Sequence, residues 1–353
     1  MNHKERLQAA FDLREPDRTP VLGGWLAAPG HIMTLTGASE DEYWADPFSV
    51  TLEAERRLGS DGVIGIFVPR ARGLYRCVDH EVLERRGSYT LESAMAEIDA
   101  WPSPEQVRDE WDEEAEYAAF IAEMEAKQAQ CGELLWCPAD WGLVPTALWY
   151  QRFGYETFFT ALALYPDRII RLIRASAERG RHRSALRARA IREGRHPAAI
   201  LTGEDICTQR GPMVSPAFLR RVYYPLVEYA LEPLVQVGCK LVWHCDGDWT
   251  AMLDDVLACG IGGLQGFQRE CGMDLAWLVG RRARNGDPLL IFGPLSVTTT
   301  LPYGTPEEVA AEVRLAQRLC RDRASLVLFT SNTMNPDIPL ENLLAMRRAV
   351  GAI

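Results

Sequence analysis

The strongest constraint on the fold is an end-to-end alternation of short apolar runs with longer amphipathic stretches. That change of period reads as strands alternating with helices. Eight runs have strand character: Thr19–Gly24, Gly62–Phe67, Glu133–Cys137, Ala198–Gly203, Lys240–His244, Gly262–Gln265, Pro288–Gly293 and Leu326–Thr330. Between them lie helix-like segments over Asp41–Leu58, Pro104–Gln130, Gly154–Arg192, Pro216–Val237, Thr250–Cys259, Asp274–Ala283 and Pro306–Arg323, and Glu341–Val350 closes the chain. Thr305-Pro306 and Ser215-Pro216 each set a capping residue before a proline at the first helical position. The pattern predicts a single (β/α)8 TIM barrel over residues 1–353. Within the second connection, Leu74–Thr90 alternates around Arg86-Gly87-Ser88, which predicts a β-hairpin inserted after the second strand.

Composition narrows the function classes. A net charge of −11 argues against a nucleic-acid footprint and against attraction to an anionic membrane. The basic cluster Arg179 to Arg195 is interleaved with alanine at helical spacing and reads as a solvated helix face. Nine cysteines without a CxxC pair suit packed thiols in a reducing compartment. Met1 to Phe11 is charged and amphipathic, unlike a signal peptide. No apolar run approaches the ~20 residues of a membrane span. The expectation is a soluble cytoplasmic protein with neither nucleic-acid nor membrane partners.

In a barrel of this kind the chemistry belongs at the C-terminal strand ends. Those ends carry Trp25, then Pro69 and Arg70, Asp140 with Trp141, Glu204 with Asp205, His244 with Asp246, Gln265 with Gln268, and Ser331 with Asn332. His244 and Asp246 are two residues apart in Trp243-His244-Cys245-Asp246-Gly247, so on a strand they share a face while Cys245 takes the other. The blander reading is a strand-end turn in which Asp246-Gly247 caps the next helix. With Thr202 and Glu204 read as facing inward on the neighbouring fourth strand, Glu204, His244 and Asp246 are expected to converge. Two roles stay open for that trio: a divalent metal site with one nitrogen and two carboxylates, or a metal-free general acid/base built on an oriented histidine. Asp205 reads as a helix cap or a supporting partner. Asn332 is either a substrate contact or a turn asparagine. Arg70 is either an anion-binding residue or a surface ion pair. Gln268 is a candidate substrate contact or a solvated loop residue, and Trp25, Trp141 and Trp149 are candidates for an aromatic pocket wall. Trp243, opposite His244, reads as barrel-to-helix packing, and His31 as a further pocket candidate.

Four ordered segments carry a resemblance that spans nearly the whole chain. They are Arg14-Glu15-Pro16-Asp17-Arg18-Thr19-Pro20-Val21, Gly203-Glu204-Asp205 with Thr208 to Pro216, His244-Cys245-Asp246-Gly247, and Asn335-Pro336-Asp337-Ile338-Pro339-Leu340-Glu341-Asn342. Together they resemble the uroporphyrinogen decarboxylase superfamily, which includes the corrinoid-dependent methyltransferases. The resemblance implies the barrel fold, a corrinoid delivered by a partner protein, a small-molecule methyl donor, and barrels that pair through their faces as a homodimer. Two departures limit what carries over. True decarboxylases hold their porphyrinogen carboxylates with arginines after the first strand, and here Gly23 to His31 contains none. Thiol-activating members hold zinc with a His-x-Cys pair and a later cysteine, where this chain has Asp246 and Asn332. The replacements make the site harder and weaker for zinc.

The resulting expectation is a methyltransferase that moves a methyl group between a small methylated substrate, such as a methoxylated aromatic, and a corrinoid. His244, Asp246 and Glu204 would stabilise the departing oxygen, with or without a divalent metal such as zinc. The alternatives are a cofactor-free decarboxylase or lyase acting on a smaller acid, with Arg70 and Arg210 as its cations, and a non-catalytic partner subunit.

Overall fold

A computed structural model describes residues 1–68 and 89–353. Arg70 and nearly all of the hairpin expected over Leu74–Thr90 lie outside the described residues. Eight parallel strands run in chain order: β1 (Leu22–Gly23), β2 (Gly62–Val63), β3 (Leu135–Trp136), β4 (Ala199–Gly203), β5 (Lys240–His244), β6 (Gly263–Gln265), β7 (Leu290–Leu295) and β8 (Ser325–Thr330). They pair as a three-stranded sheet, β1-β2-β3, and a five-stranded sheet, β8-β7-β6-β5-β4. Isolated parallel bridges, Val21 to Leu328 and Leu26 to Met334 on one side and Ala139 to Leu201 on the other, join the two sheets at both edges. The order and direction are TIM-barrel-like, and the two seams are isolated bridges in place of ladders.

Strand parity sorts the side chains into two cores. Leu22, Ala199, Leu201, Val242, Leu290, Phe292, Val327 and Phe329 pack together as one cluster on the inner face of the strands. Ile200, Leu241, Trp243, Leu264 and Ile291, one residue out of phase, pack outward with the helices. His244 follows Val242 by two and so continues the inner set, while Trp243 is fully buried on the outer side. The N-terminal helix His3–Phe11 closes the other end. Leu7, Ala10 and Phe11 join the inner cluster, and Ser325 at the start of β8 donates to the Ala10 carbonyl at 2.8 Å.

Several expected long helices are broken at identifiable residues. Gly154–Arg192 divides into Tyr155–Leu164 and Pro166–Arg192, and Asp41–Leu58 into Glu40–Ala45 and Pro47–Arg57. In both cases a proline opens the second helix, where its missing N–H costs nothing. Pro104–Gln130 divides into Pro104–Asp109 and Glu113–Cys131, the second capped by Asp112. The arginine-rich stretch of Pro166–Arg192 is less solvated than its composition suggests. Arg183 bonds Asp140 at 2.7 Å, Arg187 is buried against the same carboxylate, and Arg189 pairs with Glu114 and Glu193. That helix is pinned to the loop after β3, and its arginines serve as ties. No described helix is long and apolar enough to cross a membrane.

Candidate active site

His244 ends β5 and stands at the C-terminal mouth of the strands, 6% exposed. Its ring is oriented from below. The Gln265 amide nitrogen at the end of β6 donates to the Thr330 and Ser331 carbonyls at 2.8 and 3.1 Å. That fixes the amide so that Oε1 faces His244 Nδ1, with which it forms a short hydrogen bond. An amide oxygen only accepts, so Nδ1 carries the proton and Nε2 is the atom presented to the cavity. Gly266 makes room for this arrangement, since a Cβ there would sit 2.4 Å from His244 Nδ1.

Two carboxylates face Nε2. Asp205 Oδ1 lies 3.5 Å away and Asp246 Oδ1 4.0 Å away. Asp205 Oδ1 also accepts the Asp246 backbone N–H at 2.8 Å, which locks the two acidic loops together. Asp246 Oδ2 accepts from Asn332 Nδ2 at 2.7 Å. The ligand-type atoms of Asp205, His244 and Asp246 all lie within 4.8 Å of one another. One imidazole nitrogen with two carboxylate oxygens, the nitrogen backed by a hydrogen bond on its far side, is a donor set suited to a divalent cation of hard to intermediate character.

The third member differs from the sequence expectation. Glu204 was expected beside His244, and Asp205 holds that place. The reason is register: Gly203 pairs with His244 across β4 and β5. Residues in phase with the histidine are therefore 199, 201, 203 and 205, and Glu204 falls out of phase. The Glu204 carboxylate instead accepts the backbone N–H groups of Ala147 and Leu148 at 2.9 to 3.0 Å. Burial raises its pKa to about 7 against the lowering effect of those N–H groups and the Tyr223 hydroxyl. Tyr223 comes from a wide π-type turn, Leu219–Tyr223, in the helix leading to β5.

His244, Asp205 and Glu204 open onto a cavity of about 520 Å³ whose other walls include Trp141, Trp149, Tyr150 and Arg152. Trp141, 45% exposed, stands edge-on to His244 with ring centroids 5.3 Å apart. Arg152 is bonded to Glu97, which removes it as an open cation. The connection after β3 thus supplies most of the wall. Only Trp141 and Trp149 were legible there, because loop positions follow no period.

The remaining expected site residues take supporting places. Trp25 is buried beneath His244, its indole N–H on the Ile64 carbonyl at 2.8 Å and its ring 6.0 Å from the imidazole. Asn332 holds Asp246, and its own Oδ1 accepts the Thr333 N–H at 2.7 Å. Gln268 accepts the Gly247 N–H at 2.7 Å and so braces the turn after Asp246. His31 bonds the Ile338 carbonyl at 2.7 Å, outside the residues lining the cavity. Asp140 is a buried ion-pair anchor for the loop that carries Trp141. Cys245 points to the outer core, as alternation requires.

No protein-family model and no curated protein sequence matches this chain. Among solved structures the chain is similar to a methyltransferase from Methanosarcina mazei, with a TM-score of 0.59 and 19% sequence identity over 99% of this chain and 98% of that one. At that identity the likeness establishes a shared fold.

Proposed function

We propose that the protein is a methyltransferase that moves a methyl group between a small methylated substrate and a corrinoid carried by a partner protein. The observation that carries this reading is the oriented His244, its Nε2 turned between Asp205 and Asp246 into an aromatic-walled cavity at the strand ends. The similarity in fold to a methyltransferase supports the same reading. In it the (β/α)8 ring closes through the seam bridges, leaving the mouth as the place where a bulky corrinoid approaches.

The residues divide the work. Trp141 and Trp149 hold the donor and exclude water. His244 faces the bound donor with Nε2, and Asp205 and Asp246 hold the ring in place and favour positive charge beside it. Asn332 and Gln268 keep the Asp246 loop in place. Asp205, His244 and Asp246 are the residues that would hold a divalent metal, which when bound would polarise an oxygen leaving group. A decarboxylase reading calls for a cation at the substrate carboxylate. Of the described arginines, Arg210 is exposed and outside the cavity lining and Arg152 is bonded to Glu97, while Arg70, the other cation that reading called on, lies outside the described residues.

The test is the visible spectrum of reduced cobalamin mixed with the protein and a panel of methyl ethers, methylamines and methyl thioethers. Methylcobalamin should form with at least one donor class and should vanish in His244→Ala. No methylcobalamin across the panel with metal-replete protein would overturn methyl transfer.

A further inference from the structure

The cavity walls bear on which donor class the site takes. Glu204 and Asp205 both line it, and Asp246 stands within reach of His244. Glu204 is held by backbone N–H groups, and Asp205 by a backbone N–H with the imidazole nearby. Among the described residues no lysine or arginine pairs with either carboxylate. The one cationic side chain in the lining among the described residues, Arg152, is already bonded to Glu97. Three aromatic rings, Trp141, Trp149 and Tyr150, complete the wall. With Glu204 held close to neutral by burial, the Asp205 carboxylate is the fixed negative charge in the lining, and beside electron-rich rings it disfavours carboxylate or phosphate ligands and favours cations. His244, almost wholly buried, aims Nε2 into the same space.

We propose that this cavity selects a quaternary ammonium compound and that the methyl donor is one of its N-methyl groups. The inference rests on the methyl-transfer reading above and sharpens its substrate class. Chemistry favours a permanent cation over a neutral ether. In the transfer the C–N bond breaks, its electron pair stays on nitrogen, and a neutral tertiary amine departs. The methyl group would pass to the reduced corrinoid of the partner protein, which would supply the electron pair of the new bond. No proton is consumed, so the positive charge used for recognition is also what makes the leaving group neutral. The rings and Asp205 act on the cation, and His244 closes the base of the cage.

The test is binding, read by calorimetry and tryptophan fluorescence at constant ionic strength. Tetramethylammonium and choline are compared with the neutral carbon isostere of choline, for the wild type, Trp141→Ala and Asp205→Asn. Cation–π and charge contributions of ordinary size predict about tenfold tighter binding of choline than of its isostere, falling by about fivefold in each variant. Trp141 is exposed, so its truncation leaves the core intact and keeps the test independent of folding. Equal binding of choline and its isostere, or a preference that survives both variants, would overturn the inference. Methylation of cobalamin by ethers without cation binding would overturn it while leaving methyl transfer standing. Cation binding with no transfer from any donor would support the cage and overturn the reaction.

Discussion

Gln265 decides which nitrogen of His244 does chemistry. Its amide nitrogen is committed to two carbonyls, so its oxygen holds the Nδ1 proton and Nε2 faces the carboxylates. Gln265→Leu removes that acceptor with little change of volume. We expect methyl transfer to fall by about 10- to 100-fold, the usual cost of losing a partner behind a working histidine. Nitrogen-15 NMR of the imidazole should show loss of the single tautomer. A second residue-scale prediction concerns His196, far from the site. Burial lowers its pKa from 6.5 to about 4, and Nδ1 bonds the Pro197 carbonyl. The folded protein therefore holds it neutral while the unfolded chain takes up a proton near pH 6.5. Stability should fall as pH drops through that window, by up to about 3 kcal/mol from this group alone. His196→Gln should flatten the fall, as read by urea unfolding at pH 7 and pH 4.5.

At the scale of elements, β4 and β5 meet so closely that only glycine fits at Gly203. Its φ is +144°, and a Cβ there would lie 2.1 Å from the His244 carbonyl oxygen. Gly203→Ala should destabilise the fold by at least about 2 kcal/mol through strain and displacement of β5. Thermal unfolding with and without choline would read both the loss and any change in the site. The same register explains what the sequence did and did not disclose. Strand positions and the inward His244 were legible, because apolar alternation over Lys240–His244 and Ala198–Gly203 marks faces directly. The phase of β4 was not: Thr202 was read as inward, which drew Glu204 to the site in place of Asp205. Counting from the pair Gly203 and His244 would have selected Asp205, but pairing is a tertiary fact that one strand does not carry. Asp41–Leu58 and Gly154–Arg192 were read as unbroken helices although Pro47 and Pro166 mark the breaks, each proline opening the second helix. The cavity wall from Thr146 to Arg152 had no periodic signal at all.

Across the whole molecule, the two ends of the strands have different duties. The closed end is built for stability. Asp61, fully buried, accepts from Arg6 at 2.6 Å, from Arg18 at 2.8 Å and from the Val21 N–H at 2.9 Å, tying the N-terminal helix to β1 and β2. Asp61→Asn removes the charge that Arg18 pairs with and that Arg6 shares with Asp17, and should cost about 3 kcal/mol in urea unfolding. Because the site lies at the other end, methyl transfer by the remaining folded protein should be nearly unchanged. The open end carries Asp205, His244 and Asp246 beneath an anionic, aromatic cavity. The central claim is that these three groups perform methyl transfer. The most direct measurement is the rate of methylcobalamin formation from the best donor in wild type, Asp205→Asn, Glu204→Gln and His244→Ala. The expected result is loss of about 100-fold or more in the His244 and Asp205 variants, with Glu204→Gln keeping most of its activity. Undiminished transfer in Asp205→Asn and His244→Ala, or none in the wild type, would contradict it.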